Sequence, residues 1–360
     1  MDLDLLYGNK SNPYYIYAPR YIEASAGIKA LHYLCHSINR MGMQAYLVFS
    51  EDRFAGEPRV SSQVFTPILT QEIAESHFQS GLNPIAIYSE TVPGNPLKAK
   101  SVIRYLLNYV GALGGPEDFE RNEIVVSFSK NIAQHYFERS GVESPILFLP
   151  PIDPREFKKT TQKSNYQVVY AGKYRSFIGE PPKIGKLPTV EIFRDGPRMQ
   201  SRGKVKELLQ DAQIVASFEN SSILIEAILS GTPALFVENP FLGKPIAEHE
   251  LGKDGIAIDF SDEAIKAAHS SNDAAILNYF NSIQLYFESL QRVLSFSQNA
   301  ARSEKYDQII QIPNFHHVIS SHRVGLGLQI LKSKGMRAFM RVIFHFFLRR
   351  LTWRLKKTTE

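Results

Sequence analysis

Phe218-Glu219-Asn220-Ser221-Ser222-Ile223-Leu224-Ile225-Glu226-Ala227-Ile228-Leu229-Ser230-Gly231-Thr232-Pro233 reads as a loop, a short buried helix and the run-up to a strand. Asn220 or Ser221 can cap the helix by accepting from a first-turn N–H. Ile223, Leu224, Ala227 and Ile228 recur at helical spacing. Gly231 suits the left-handed residue that ends a helix, and Pro233 blocks its continuation. Ala234-Leu235-Phe236-Val237 then reads as a buried strand. Glu219 stands at the helix entrance. Glu226, seven residues on, returns to roughly the same side after two turns. The free N–H groups of a helix start suit a phosphate, and a carboxylate further along can accept from sugar or ribose hydroxyls. Together these parts predict a nucleotide-sugar pocket. An ordinary α/β helix with two acids would carry the same residues.

Working outward, the rhythm of strand and helix recurs on both sides. Before the motif lie strand candidates at Tyr14–Tyr17, Gln44–Phe49, Pro84–Tyr88 and Glu123–Phe128, with a helix from Ile28 to Arg40. Ala99 to Tyr109, carrying Arg104 and Asn108, is read as a further helix. Leu149-Pro150-Pro151-Ile152-Asp153-Pro154 marks a boundary. Beyond it come strands at Val168–Tyr170 and Val190–Ile192, a helix from Arg202 to Gln210 and an extended Ile214–Ser217. A late strand is expected at Gly255–Asp259, then a helix capped at Ser261. Asn272 to Ser295 reads as one long helix or two. Strands separated by helices imply parallel sheets. The predicted architecture is α/β, with two Rossmann-like domains facing each other across a cleft: 1–152 on the acceptor side, 153–312 binding the donor, and a basic helical tail over 313–360.

Bulk composition narrows the class. The chain has 360 residues, 44% hydrophobic and 21% charged, as a globular protein of two domains would. A single cysteine, Cys35, excludes an internal disulfide and fits a reducing compartment. It falls on the apolar side of a helix, where a structural thiol is expected. Met1–Leu6 lacks the basic and apolar regions of a signal peptide, so the expectation is a cytoplasmic protein. Metal is not expected: Asp2-Leu3-Asp4 sits at the chain start, and His316, His317 and His322 lack companions at ligand spacing. No cofactor is expected either.

Further candidates cluster at predicted strand ends. Gly172 and Lys173 follow the strand at Val168, at the edge that lines the crevice of an open α/β sheet. Gly172 allows close backbone approach, and Lys173 can neutralise a pyrophosphate. Arg194 and Arg202 flank a Gly-Pro loop and are further phosphate candidates. Glu90 and Glu23 lie on sheet-edge loops; either could deprotonate an acceptor if the reaction inverts the anomeric carbon. Ala26, Gly27 and Asn95 belong to acceptor-side loops.

The stretch from Glu219 to Pro233, with Gly172-Lys173-Tyr174, Pro93-Gly94-Asn95-Pro96 and Gly111-Ala112-Leu113-Gly114-Gly115, resembles glycosyltransferases of the GT-B fold from bacterial surface-polysaccharide clusters. The resemblance spans about residues 12 to 260. Many retaining members separate their two Glu residues by seven others; here six intervene, as in that bacterial group. The shorter spacing would rotate Glu219 by about 100° on a continuous helix, so Glu226 transfers more securely than Glu219. Ala26-Gly27 replaces a frequent Gly-Gly. The resemblance implies a metal-independent hexosyl- or deoxyhexosyltransferase. Glu226 would hold ribose or sugar hydroxyls, with the Ser221 and Ser222 N–H groups and Lys173 on the diphosphate, Glu219 at the sugar or ribose, and Asn220 a further donor-binding residue. An epimerase of the same fold, or a non-catalytic glycan-binding subunit, shares these features.

The tail carries the charge. From Arg323 to Glu360 stand ten Lys and Arg against one acid, while the rest of the chain has 31 bases and 35 acids. Arg337, Arg341, His345 and Arg349 recur along one face of an expected helix; Phe339, Met340, Val342, Ile343, Phe346 and Phe347 fill the other. With Arg350 and Trp353 this pattern predicts a helix lying on an anionic membrane surface. The aromatic residues face away from the basic side, which argues against nucleic acid. The expected partners are therefore a nucleotide sugar, a lipid-linked or glycan acceptor, and the inner face of a cell membrane.

Overall fold

Tyr14–Ala18 (β1) is buried at all five positions, with Tyr14, Ile16 and Ala18 packing on one face of its sheet and Tyr15 and Tyr17 on the other. A strand buried on both faces reads as a continuous apolar run and belongs inside a parallel sheet. The computed structural model describes residues 11–23, 25–49, 60–160, 162–194, 196–239, 245–302, 309, 310 and 312. Tail residues Arg337, Arg341, Phe346, Phe347, Arg349, Arg350 and Trp353 lie outside them. Among the described residues no helix is long and apolar enough to cross a membrane.

The first sheet is wholly parallel. Its strands are β1, Ala45–Phe49 (β2), Ile85–Ser89 (β3), Ser101–Leu106 (β4) and Ile124–Ser127 (β5), in the order β2-β1-β3-β4-β5. Ala26–Arg40 (α1) follows β1 and is capped by the Ser25 hydroxyl, which accepts from the Ile28 N–H. Ala26 and Gly27 therefore start this helix rather than sit in a loop. Cys35 is fully buried against the sheet, and burial pushes its thiol pKa up, which makes it a structural residue. Gln71–Gln79 (α2) and Lys130–Ser140 (α3) complete the helices before the boundary.

The expected helix from Ala99 to Tyr109 is instead β4. All six of its residues are buried, and it pairs with both β3 and β5. Val102, Ile103 and Tyr105 favour a pleated surface. A short apolar run buried on both faces has no period that distinguishes strand from helix.

The second sheet repeats the plan. Gln167–Tyr170 (β6), Thr189–Ile192 (β7), Ile214–Ser217 (β8) and Ala234–Phe236 (β9) lie parallel in the order β7-β6-β8-β9. Its helices are Gly172–Phe177 (α4), Arg202–Asp211 (α5), Ile223–Leu229 (α6), Glu248–Leu251 (α7) and Asp262–Ser270 (α8). Apolar clusters cover both faces of this sheet as well. The strand expected at Gly255–Asp259 shrinks to one bridge between Ala234 and Ile256. Gly255 is left-handed at φ 71°, and Ile258 is 87% exposed, so the chain turns away from the sheet edge.

Both units are Rossmann-like. One ends at Pro151 and resumes at Ser282; the other runs from Ile152 to Asn281. Asn272–Arg302 (α9) is a single helix of 31 residues that contributes to each. In the second unit Tyr279 donates its hydroxyl to Ile152 O at 2.7 Å and accepts from Ile152 N–H at 2.9 Å. In the first, Gln298 brackets Asn12 with two backbone hydrogen bonds, of 2.9 and 2.7 Å.

Candidate functional site

In each sheet the order reverses between the first strand of the unit and the third: β1 and β3 in one, β6 and β8 in the other. The loops leaving those strands depart in opposite directions and open a crevice at the carboxyl edge. Most of the candidates fall on these loops.

In the second unit β6 delivers Gly172 and Lys173, and β8 delivers Glu219 to Ser222. Gly172 has φ 36°, and a Cβ there would lie 2.6 Å from Glu219 Oε1 and 2.8 Å from the Tyr170 ring. The close approach that requires glycine is thus to Glu219 and Tyr170. Glu219, 5% exposed, accepts the Lys173 backbone N–H at 2.8 Å. It joins the β6 loop to the β8 loop from within. The Lys173 side chain is exposed and makes no salt bridge among the described residues.

Glu226 projects from the first turn of α6 and is 1% exposed. Arg194, from the loop after β7, donates to Glu226 Oε2 at 2.6 Å; Ser222 Oγ donates to Oε1 at 3.0 Å. The guanidinium also lies 3.4 Å from Ser222 Oγ and 5.7 Å from the centre of the Tyr170 ring. Burial first, and the neighbouring Glu219 carboxylate second, push the Tyr170 hydroxyl pKa up. Two carboxylates, one buried guanidinium and one exposed ammonium therefore meet at this edge.

At the helix entrance Ser221, one of the two expected caps, accepts a first-turn N–H. Ser222 heads α6 with no side-chain cap bond. Asn220 Oδ1 accepts the N–H of Ile246 at 3.0 Å. Ser221 Oγ accepts from Ile223 N–H at 3.4 Å. The backbone N–H groups of Ser221 and Ser222 have no acceptor among the described residues. Arg202 is directed elsewhere: its guanidinium grips Glu156 at 2.6 and 3.0 Å, beside Lys206 at 2.7 Å.

In the first unit Glu90 follows β3 and Glu23 follows β1. Glu90 is 3% exposed, and its Oε2 accepts the Leu107 N–H at 2.9 Å. Gly115 packs on this loop; a Cβ there would meet Glu90 O at 2.7 Å. The Glu23 side chain is 41% exposed, accepts from Tyr21 Oη at 2.7 Å and pairs with the buried Lys29 at 3.0 Å. The Asn95 side chain ties its own loop: Oδ1 accepts from Tyr88 Oη at 2.8 Å and from Ala99 N–H at 3.0 Å, and Nδ2 donates to Ala99 O at 2.6 Å. A Cβ at Gly27 would make an ordinary contact with Leu107, at 3.9 Å.

Arg104 was legible only as a residue of a supposed helix. On β4 it is 1% exposed, forks onto Glu123 with two 2.8 Å bonds, and donates to Ser89, Val92 and Gly94 carbonyls. It fixes the loop that carries Glu90. A buried arginine gives no sequence signal beyond interrupting an apolar run. Among the described residues no group of three or more His, Cys, Asp or Glu could hold a metal ion.

No family profile matches the chain, and no curated protein matches it. Solved structures do overlap with it. The glycosyltransferase SnogD from Streptomyces nogalater is 12% identical, covers 80% of this chain and 100% of its own, and has a TM-score of 0.43. WaaG, a glycosyltransferase involved in lipopolysaccharide biosynthesis, is 10% identical over 79% of this chain and 99% of its own, with a TM-score of 0.41. T4 phage BGT, solved with its UDP-glucose substrate, is 12% identical over 81% and 98%, with a TM-score of 0.40. At such scores no residue role transfers, and the fold rests on the strand orders described above.

Proposed function

We propose that the chain is a glycosyltransferase of the GT-B type, moving a sugar from a nucleotide-diphosphate sugar to a lipid-linked or polysaccharide acceptor. One observation carries the reading: Gly172, Lys173, Arg194, Glu219, Ser222 and Glu226 come from three loops to one edge of the second sheet, where its strand order reverses. Glu226 would accept from ribose or sugar hydroxyls. Lys173, with the Ser221 and Ser222 N–H groups, would hold the diphosphate. Positive groups already in position against the leaving diphosphate would lower the barrier without reorganisation. Glu219, satisfied by the Lys173 amide, would act on the shape of the site from inside.

If the reaction inverts, an acceptor hydroxyl needs a base. Glu23 is the more accessible of the two candidates: it is half-buried, whereas Glu90 is buried. The basic tail would bring the enzyme to an anionic membrane on its cytoplasmic side. No metal or cofactor enters this reading.

The test is calorimetry against a panel of nucleoside diphosphates. Glu226→Ala and Lys173→Ala should each weaken binding about tenfold, or ~1.4 kcal/mol, with the fold retained. Unchanged affinity in both would count against the assignment. Liposome flotation of the full chain and of one ending before Val324 tests the tail; equal flotation would remove the membrane role.

A further inference from the structure

Position and charge make Arg194 a phosphate candidate. Its surroundings assign it another task. The guanidinium is buried, with its side chain 9% exposed, and it is spent on a carboxylate 1% exposed. Ser222 and the Tyr170 ring hold it on other sides. Glu226 in turn takes one hydrogen bond from the chain on each oxygen: Arg194 on Oε2, Ser222 on Oε1. An ionised carboxylate has about four acceptor positions, so about two receive no hydrogen bond from the chain, on a group that is held in place and whose charge is balanced.

We propose that Arg194 is a positioning residue for Glu226. It acts on the nucleoside end of a ligand through that carboxylate and does not itself bind the diphosphate. Ser222 is its counterpart on the other oxygen. The inference rests on the glycosyltransferase reading above, in which Glu226 accepts ligand hydroxyls.

The two roles differ in which ligands feel the loss of Arg194. A phosphate-binding arginine matters to UDP and not to uridine. An arginine that acts through Glu226 matters to both by the same factor. The experiment measures wild type, Arg194→Met, Ser222→Ala, Glu226→Gln and Arg194→Met/Glu226→Gln against nucleoside, monophosphate and diphosphate of whichever base binds best. Calorimetry serves the tighter ligands and NMR titration the weaker, and thermal melting checks folding.

The expected result is a loss of about tenfold for Arg194→Met, equal within about twofold from nucleoside to diphosphate. Ser222→Ala should show a smaller loss, equally blind to phosphate. In the Glu226→Gln background, removing Arg194 should cost no more than about twofold, because its target is already altered. Arg194→Lys, which keeps the charge but not the planar fork, should recover part of the affinity for all three ligands alike, and it carries the test if Arg194→Met does not fold. A loss confined to the diphosphate, or full additivity in the double variant, overturns this inference and leaves the nucleotide-binding reading standing. Failure of the wild type to bind any member of the panel overturns both.

Discussion

Replacing Arg104 with methionine tests how the first unit holds its crevice loop. All five guanidinium N–H groups are used: two on Glu123, and three on the carbonyls of Ser89, Val92 and Gly94. The rings of Tyr88 and Phe119 lie 5.1 and 5.0 Å from the guanidinium carbon. Methionine fills much of the volume but leaves the Glu123 carboxylate, 3% exposed, without its partner. Breaking a buried ion pair from one side costs about 3–5 kcal/mol. Stranded carbonyls cost about 1–3 kcal/mol each, and relaxation of the loop would relieve part of that. A total near 5 kcal/mol is a large share of the roughly 5–15 kcal/mol that holds a domain together. At about 2–4 °C per kcal/mol for a unit of this size, melting should fall by roughly 10–20 °C. Hydrogen exchange read at the β4 and β5 amides reports on this unit directly, and calorimetry gives the melting temperature. Arg104→Met/Glu123→Leu leaves no buried charge and should be no worse than the single variant. A fall of less than about 3 °C for Arg104→Met, or a double variant that loses the sum of both singles, would refute the reasoning.

Other consequences can be checked in the same way. Gly172→Ala puts a Cβ where Glu219 Oε1 and the Tyr170 ring stand, at a φ of 36°; nucleotide affinity should drop about tenfold or more, and a variant that binds as wild type would show that the Glu219 clasp is dispensable. Asn95→Ala removes three bonds across its loop and should lower stability by about 1–3 kcal/mol, read by urea unfolding; a change below ~0.5 kcal/mol would mean water takes over the contacts. Burial lowers the pKa of His32 and His77 below the ordinary histidine value. The unfolded chain therefore takes up protons first as pH falls, so this stability is present above about pH 6.5 and is lost below it. His77 bridges Tyr15 and Gln44 at 2.8 and 2.9 Å. His77→Gln should flatten the fall in melting temperature between about pH 7.5 and 5.5, and an unaltered slope would assign the effect to other groups.

The two strand–helix rhythms, the boundary at Leu149–Pro154, and the Glu219–Pro233 loop, helix and strand were legible in the residues alone. Period and punctuation are local, so a chain states them before it folds. Of the two expected helix caps, Ser221 accepts a first-turn N–H from Ile223, while the Asn220 side chain accepts from Ile246, 26 residues away. The supposed helix at 99–109 failed because two neighbouring strands decide whether a short apolar run extends. Strand order was not local either. It brings Gly172 to Glu219 and Arg194 to Glu226, pairs separated by 47 and 32 residues in the chain. Residue types could nominate each of these groups as a ligand. Only the parallel register of β7, β6 and β8 decided which of them face one another, because a carboxylate buried without water must find its donors inside the protein.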